Sequence, residues 1–190
     1  MVECFESVRP FLYKFIIMKM QIETPRLLLR PFQLSDASAN FKMDSNPNVI
    51  KYLPVEPHVD IEQSIALVKN VIQQYKDFGI GRVAVELKET GEYIGWSGFK
   101  LHTDVMNNHK DFYELGYRFQ EEYWGKGYAT EAAKACMKYG FEVLKLDVIY
   151  AVAYANHSAS LSVLKKAGFQ FVETFMEDGE LHHWLKCRNV

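Results

Sequence analysis

Apolar positions along this chain keep two periods, and the places where the period changes divide it into elements. From Asp60 to Phe78 the residues Ile61, Ile65, Val68, Ile72 and Tyr75 fall at i, i+4, i+7, i+11 and i+14, the stripe of an amphipathic helix. Asp60 with Gln63 three residues on resembles a capping box, and Gly79 stops the helix. The period then shortens. GRVAVELK (81–88) and EYIGWSGFKL (92–101) are β-rich runs joined by ETG, which predicts a hairpin. HTDVMNNHKD (102–111) reads as polar loop, and DFYELGYRF (111–119) as an aromatic strand. Helical spacing returns from Tyr128 to Leu144. Ala129, Ala132, Ala133, Cys136, Met137, Gly140, Phe141 and Leu144 form one face there, with Glu131, Lys134, Lys138 and Glu142 on the other.

The ends follow the same logic. RLLLRPF (26–32) predicts a short strand stopped by Pro31. Ser35-Asp36 offers an N-cap for a helix reaching about Asp44, closed by the turn SNPN (45–48). DVIYAVAY (147–154) predicts a buried strand, and SASLSVLKKAGF (158–169) a helix with Gly168 in C′ position. FVETFM and LHHWLKC predict a hairpin around Asp178-Gly179. The order β-α-α-β-β-β-α-β-α-β-β, without repeat or linker, predicts one mixed α/β domain.

Composition narrows the function. The 190 residues are enough for one sizeable core, and 48% hydrophobic with 24% charged residues argues against wholesale disorder. A net charge of −2 argues against nucleic-acid binding through bulk positive charge. Cys4, Cys136 and Cys187 have no close spacing, which suits reduced thiols in a cytoplasmic protein better than disulfides or zinc. The six histidines form no metal pattern, and His182 and His183 point to opposite faces of a strand. FLYKFIIM (11–18) falls short of the roughly 20 apolar residues of a membrane span, and Lys14 interrupts it. No basic leader or small-residue cleavage site marks a secretory signal, and no membrane partner is expected. The regular pattern begins at Met20, so residues 1–19 are expected to be an extension outside a domain of residues 20–190. They are a docking arm, or are absent from the natural product if translation starts at Met18 or Met20.

The stretch YWGKGYATEA (123–132) carries the candidate chemistry. Glycine costs a helix about 1 kcal/mol against alanine, so two of them at a helix mouth mark backbone that something approaches closely. The first helical N–H groups have no intrahelical partner, and the macrodipole favours an anion there. With Lys126 between Gly125 and Gly127, the stretch reads as a pyrophosphate cradle. G-x-x-x-x-G-K-[ST] does not occur in the chain. The dinucleotide fingerprint needs a third glycine where Thr130 stands. Tight strand-to-helix packing without a ligand is the alternative.

ELGYRFQEEYWGKGYATEA resembles the central motif of the GNAT N-acetyltransferases, particularly the ribosomal-protein N-terminal acetyltransferase-like branch. IETPRLLLRPF is similar to that branch's opening strand, YIGWSGF to its third strand, and ANHSASLSVLKKAGF to its N-x-x-S…K-x-G-F segment. Together these cover about residues 20–187 in order. The resemblance implies a mixed, mostly antiparallel twisted sheet of about seven strands with four helices, splayed between the fourth and fifth strands. It implies acetyl-CoA as cosubstrate, with its pyrophosphate on Gly125, Lys126, Gly127, Tyr128, Ala129 and Thr130. The first motif position, usually Gln or Arg in the superfamily, is Glu122 here.

Pantetheine is implied along Leu115, Tyr117 and Phe119, where Gly116 suits a β-bulge and one N–H would polarise the thioester. Tyr117 and Phe119 can be core aromatics at the same time, because those contacts are main-chain. Asn156 is implied to hold pantetheine and Ser160 to meet the CoA sulfur, although either could instead cap the following helix. Glu114 is the candidate base, with a solvated strand carboxylate as its alternative, and Tyr154 is a second candidate acid. The implied reaction is acetyl transfer to a primary amine, a protein N-terminus or a small molecule, by direct attack in a ternary complex. No metal is expected, and a monomer or homodimer is. A non-catalytic CoA-binding or protein-interaction module is the rival. The acceptor is not legible: it would be set by residues 35–79 and 102–111, where Glu56, Asp60 and Glu62 are too few to argue for a polyamine.

Overall fold

The period-2 segments meet in one open sheet. The computed structural model describes residues 21–189, so the expectations for residues 1–19 lie outside the described residues. Eight strands follow the spatial order β1-β2-β3-β4-β5-β6-β8-β7. They are β1 (Ile22–Glu23), β2 (Leu27–Arg30), β3 (Arg82–Leu87), β4 (Glu92–His102), β5 (Phe112–Phe119), β6 (Val148–Tyr154), β7 (Gln170–Glu177) and β8 (Glu180–Arg188). All neighbours are antiparallel except β5 and β6, which run parallel and pair only at Glu114–Tyr150. The splay expected between the fourth and fifth strands is this one. The eighth strand is β1, two residues too short to show a period.

Five helices accompany the sheet: α1 (Ala37–Asp44), α2 (Pro47–Ile50), α3 (Ile61–Phe78), α4 (Tyr128–Glu142) and α5 (Ser158–Lys166). The fifth is α2, where SNPN begins a single helical turn rather than closing α1. The Asn46 side chain accepts the Asn48 N–H at 2.9 Å, and Pro47 suits the first turn because it has no N–H to leave unpaired. The α3 capping box forms as expected: Asp60 accepts the Glu62 N–H at 3.0 Å, and Gln63 accepts the Asp60 N–H at 3.0 Å. Val68, Val71 and Tyr75 carry the α3 stripe into the core.

Asp36 corrects another expectation. It precedes α1 but makes no side-chain cap. Its carboxylate turns back to grip Arg30 with two bonds of 2.8 Å, and Glu86 takes the same guanidinium at 2.6 Å. A half-buried arginine outbids an orphan helix N–H because leaving its charge unpaired costs more. Asp36 is 5% exposed, so this cluster fixes where α1 leaves β2. One predicted helix end runs long, since α4 stops at Glu142 rather than Leu144, whereas α5 stops at Lys166 and leaves Gly168, at φ 99°, in the C′ position expected of it.

Gly116 does not sit in a bulge. The β4–β5 register is unbroken from Gly95–Phe119 to His102–Phe112, and the register shifts fall at Val85/Glu86 and Phe171/Glu173 instead. A Cβ on Gly116 would lie 3.3 Å from the Trp96 ring, so its bareness makes room for that ring. The splay comes from β6, which follows β8 along its whole length.

Gly95 is where the main chains come closest. At φ +154° it has room for no side chain, since a Cβ would stand 2.2 Å from the Arg118 carbonyl oxygen and 2.8 Å from Phe119 Cα. Both obstacles are backbone and cannot rotate away. Gly95→Ala is therefore expected to cost on the order of 2–4 kcal/mol, strain and overpacking together. Urea unfolding monitored by circular dichroism reads this directly, and an unchanged midpoint would contradict the packing described for β4 and β5.

Candidate active site

Two neighbouring features make the site, an unpaired strand edge and a glycine loop. After Glu114 the edge of β5 that faces β6 has no ladder partner. Backbone N–H and C=O groups left this way seek partners, and an extended ligand can supply them as an added strand. Leu115 and Phe119 send their side chains into the core while Tyr117 is part-buried. The packing of these side chains leaves the main-chain edge of the strand free.

From Phe119 the chain reaches the glycine loop through a 3₁₀ turn (Glu121–Tyr123). Buried Gln120 donates its side-chain N–H to the Tyr93 carbonyl at 2.7 Å, and Trp124 Nε1 donates to the Phe119 carbonyl at 2.8 Å. These bonds set the turn. Gly125 (φ 73°) and Gly127 (φ 82°) lie in the left-handed region that side chains disfavour. The first bond of α4 runs from the Glu131 N–H to the Gly127 carbonyl at 3.0 Å. Tyr128, Ala129 and Thr130 therefore present their N–H groups at the free end of the helix. Lys126 is exposed, its ammonium 5.2 Å over the Tyr123 ring.

One residue of this cradle was not legible in advance. Arg26 donates to Glu131 Oε2 at 2.7 Å and to the Lys126 carbonyl at 3.0 Å, and its guanidinium lies 4.4 Å over the Tyr128 ring. Glu131, assigned by helical spacing to the solvent face, is instead the knot of this contact. Its Oε1 accepts the Thr24 hydroxyl at 2.7 Å and the Arg26 N–H at 3.0 Å. Burial would raise the Glu131 carboxyl, but the hydrogen bonds from Thr24 and Arg26 outweigh it and hold it below the ordinary carboxylate range. Glu122, the departure from the usual motif, pairs with Lys42 at 2.6 Å, and Glu121 accepts from Asn46 and Asn48. The acidic turn thus tethers α1 and α2 to the loop, although the exposure of Lys42 and Glu122 makes that pair weak.

Glu114 and Ser160 lie on opposite faces of β5. Glu114 stands at the apex of the splay, 2.5 Å from His102 Nε2, its side chain 18% exposed. Gly116 and Arg118 follow on the same face, and Arg118 pairs with fully buried Asp44 at 2.7 Å. On the other face the Tyr117 hydroxyl donates to the Ser160 carbonyl at 3.0 Å and lies 3.0 Å from Ser160 Oγ. Burial holds the Tyr117 phenol well above its ordinary value, more than the Ser160 hydrogen bond lowers it, so it stays protonated.

Because β5 and β6 run parallel, the glycine loop and the Asn156 turn lie at the same end of the sheet. Asn156 is exposed and neither it nor Ser160 caps α5, whose N-cap is His157 without a side-chain bond. That sets aside the capping alternative for both. His157 stacks on Tyr52 at 4.1 Å, joining the segment after α2 to this turn, and burial lowers its basicity. Tyr154 packs between Tyr52 and His182, and burial raises its phenol. His182 and His183 do face opposite ways, His182 toward Tyr154 and His183 toward Phe171. Among the described residues no three His, Cys, Asp or Glu side chains gather as metal ligands.

Comparison with known proteins matches this chain to one family. The acetyltransferase (GNAT) domain model matches residues 26–170. The uncharacterized N-acetyltransferase YoaA of Bacillus subtilis is 35% identical over 149 residues, 78% of this chain and 82% of its own length. The spermidine N(1)-acetyltransferase of Escherichia coli is 30% identical over 155 residues, 82% of this chain and 75% of its own. The crystal structure of a GNAT-family acetyltransferase from Bacillus anthracis superposes with a TM-score of 0.74 at 28% identity, covering 89% of this chain and 98% of that one. A non-catalytic module on the same fold is not favoured among such relatives. The chain belongs to the GNAT acetyltransferase family and is an acetyl-CoA-dependent N-acetyltransferase.

Proposed function

We propose that the unpaired edge of β5 and the glycine loop hold acetyl-CoA, and that Glu114 and Ser160 serve the transfer from opposite faces of the strand. The observation that carries this reading is continuity: one strand leaves its β6 edge unpaired and runs within six residues into a loop where Gly125 and Gly127 carry no Cβ. The amides of Tyr128, Ala129 and Thr130, with Gly125, Gly127 and Lys126, take the pyrophosphate. Main-chain groups of Leu115, Tyr117 and Phe119 take pantetheine, and exposed Asn156 takes it from the opposite side of the cleft. When bound, acetyl-CoA supplies the activated acetyl group.

An N–H of the free β5 edge polarises the thioester carbonyl. The acceptor amine attacks the carbonyl carbon, the carbon–sulfur bond breaks, and Glu114 accepts the amine proton while His102 holds its carboxylate in place. Ser160, kept in position by the neutral Tyr117 phenol, hydrogen-bonds the departing thiolate, which takes up a proton. The acceptor is a primary amine, on a small molecule or a protein N-terminus, and the setting is cytoplasmic. Among the described residues no helix is long and apolar enough to cross a membrane.

Gly127→Glu tests the cradle. Its carboxylate would project into the phosphate position, with a built Cβ 3.5 Å from Arg26, and would repel the ligand. The variant is expected to fold and to lose acetyl-CoA affinity by about 100-fold or more, the sum of a lost amide contact and a like charge. Calorimetry showing unchanged affinity in folded protein would move the site elsewhere.

Glu114→Gln and Ser160→Ala separate the two faces by pH. Glu114→Gln is expected to lower kcat/KM by roughly 100-fold at pH well below the amine's own pKa, and less as pH approaches it. Ser160→Ala is expected to lower the rate evenly across pH, because a hydroxyl does not titrate there. Rates and profiles unchanged in both would leave catalysis to binding and the strand's backbone amide.

A further inference from the structure

The face of the sheet that carries Glu114 also carries an arginine that nothing in the proposed transfer uses. Arg82 opens β3; its register partner is Gly98 on β4, whose own partner is Gly116 on β5. Cross-strand partners share a face, so Arg82 points to the side of the sheet that Glu114 and Arg118 occupy. The two glycines clear its path. Arg82 Nε lies 3.9 Å from the place a Gly116 Cβ would take, and the guanidinium rests 4.5 Å over the Trp96 ring.

This guanidinium is left without an anion. Arg82 Nε is buried and has no hydrogen-bond partner, and among the described residues no carboxylate lies within 4.0 Å of the group. The nearby acids are committed: Asp44 to Arg118 and Asn40, Glu114 to His102, and Glu86 to Arg30. Burial lowers the Arg82 pKa, with Glu114 opposing the shift, as for a cation waiting for a closer partner. The contact with Trp96 does not replace that partner, because the ring is shared with Arg118 at 5.3 Å and a cation–π contact is weaker than a charge-assisted hydrogen bond. Arginine's planar fork matches an oxyanion, carboxylate or phosphate, and the short reach to Glu114 suits the smaller of the two, a carboxylate.

We infer that the acceptor is an amine that also bears a carboxylate, and that Arg82 binds this carboxylate while Glu114 receives the amine. The inference rests on the reading of Glu114's face as the acceptor's side. Glu114 and Gly116 are two residues apart on one face, roughly 7 Å along the strand. A short amino acid spans that gap with its opposite charges matched. A polyamine would instead set a second ammonium against Arg82, so this site departs in charge from one built for a polycation.

Matched acceptors test the proposal on the full chain with saturating acetyl-CoA. Suitable pairs are γ-aminobutyrate against butylamine and phenylalanine against phenethylamine, with spermidine alongside. At least one carboxylate-bearing member is expected to exceed its partner in kcat/KM by about tenfold or more, since a site built for a polar group rejects the analogue lacking it. Arg82→Met is expected to bring that ratio to within about twofold of unity, chiefly through KM, and Arg82→Lys to restore part of it. If Arg82→Met is insoluble, Arg82→Lys alone decides, and an unchanged ratio overturns the proposal. Ratios at or below one in both pairs, a better rate with spermidine, or a preference that survives Arg82→Met overturn it while acetyl transfer stands. If no amine is acetylated, calorimetry of γ-aminobutyrate and phenylalanine with the CoA-loaded protein is read: binding weakened by Arg82→Met supports the carboxylate site, and its absence overturns it. Wild-type protein that binds no acetyl-CoA in those titrations overturns the transfer reading and this one with it.

Discussion

A parallel strand pair that stops after a single pairing is the constraint on which this structure turns. Backbone groups on strands are costly to leave unmet, so β5 and β6 can diverge only because each is secured elsewhere. Strand β6 is paired along its whole length with β8, and β5 with β4 over eight residue pairs. The opening between them is held from both sides of the sheet. Tyr117 reaches from β5 to Ser160 on α5, and Glu114 meets His102 at the apex. What would be a defect in a closed sheet becomes a row of donors and acceptors of fixed geometry, running directly into a helix N-terminus.

Charged pairs position the parts around this opening. Arg26 and Glu131 bind the turn before β2 to the first turn of α4, Arg30 with Asp36 and Glu86 sets the departure of α1, and Arg118 with Asp44 holds α1 to β5. The more buried of these, Arg30 with Asp36 and Arg118 with Asp44, contribute little net stability against apolar replacements, yet breaking one by removing a partner is costly, while the exposure of Arg26 makes its pair weaker. Their role here is registry: they join residues from 6 to 105 positions apart in sequence, and Arg26 with Glu131 does so beside the glycine loop. Arg82 alone among the arginines of this face has no such partner among the described residues, which is why it stands apart from the structural set.

Periodicity and turn chemistry are local, and what they encode was legible in the sequence. The α3 stripe, its capping box, the β3–β4 and β7–β8 hairpins, and the glycine loop at the mouth of α4 all follow from residues within a few positions of one another. The unpaired β5 edge was legible only through family resemblance, because an absent ladder leaves no residue pattern. Elements shorter than one period escaped: β1 has two residues and α2 four. Gly116 was misread because a strand glycine serves a bulge and a neighbouring ring equally well, and only the position of Trp96 decides. Glu131 and Asp36 were misplaced for the converse reason. Helical spacing and cap preference weigh what a side chain meets nearby, and both carboxylates are claimed by arginines that the local pattern does not bring forward. Arg26, 105 positions from Glu131, gives no local sign of its role.

In the proposed site, CoA completes the sheet where β6 leaves it. Residue-resolved amide hydrogen exchange with and without CoA tests that most directly, because it reads the backbone groups themselves. CoA is expected to slow exchange at alternate amides within Leu115–Phe119, those facing β6, and at Tyr128, Ala129 and Thr130, with little change along β7 and β8. Protection confined to other segments, or none at Leu115–Phe119 under saturating CoA, would contradict it.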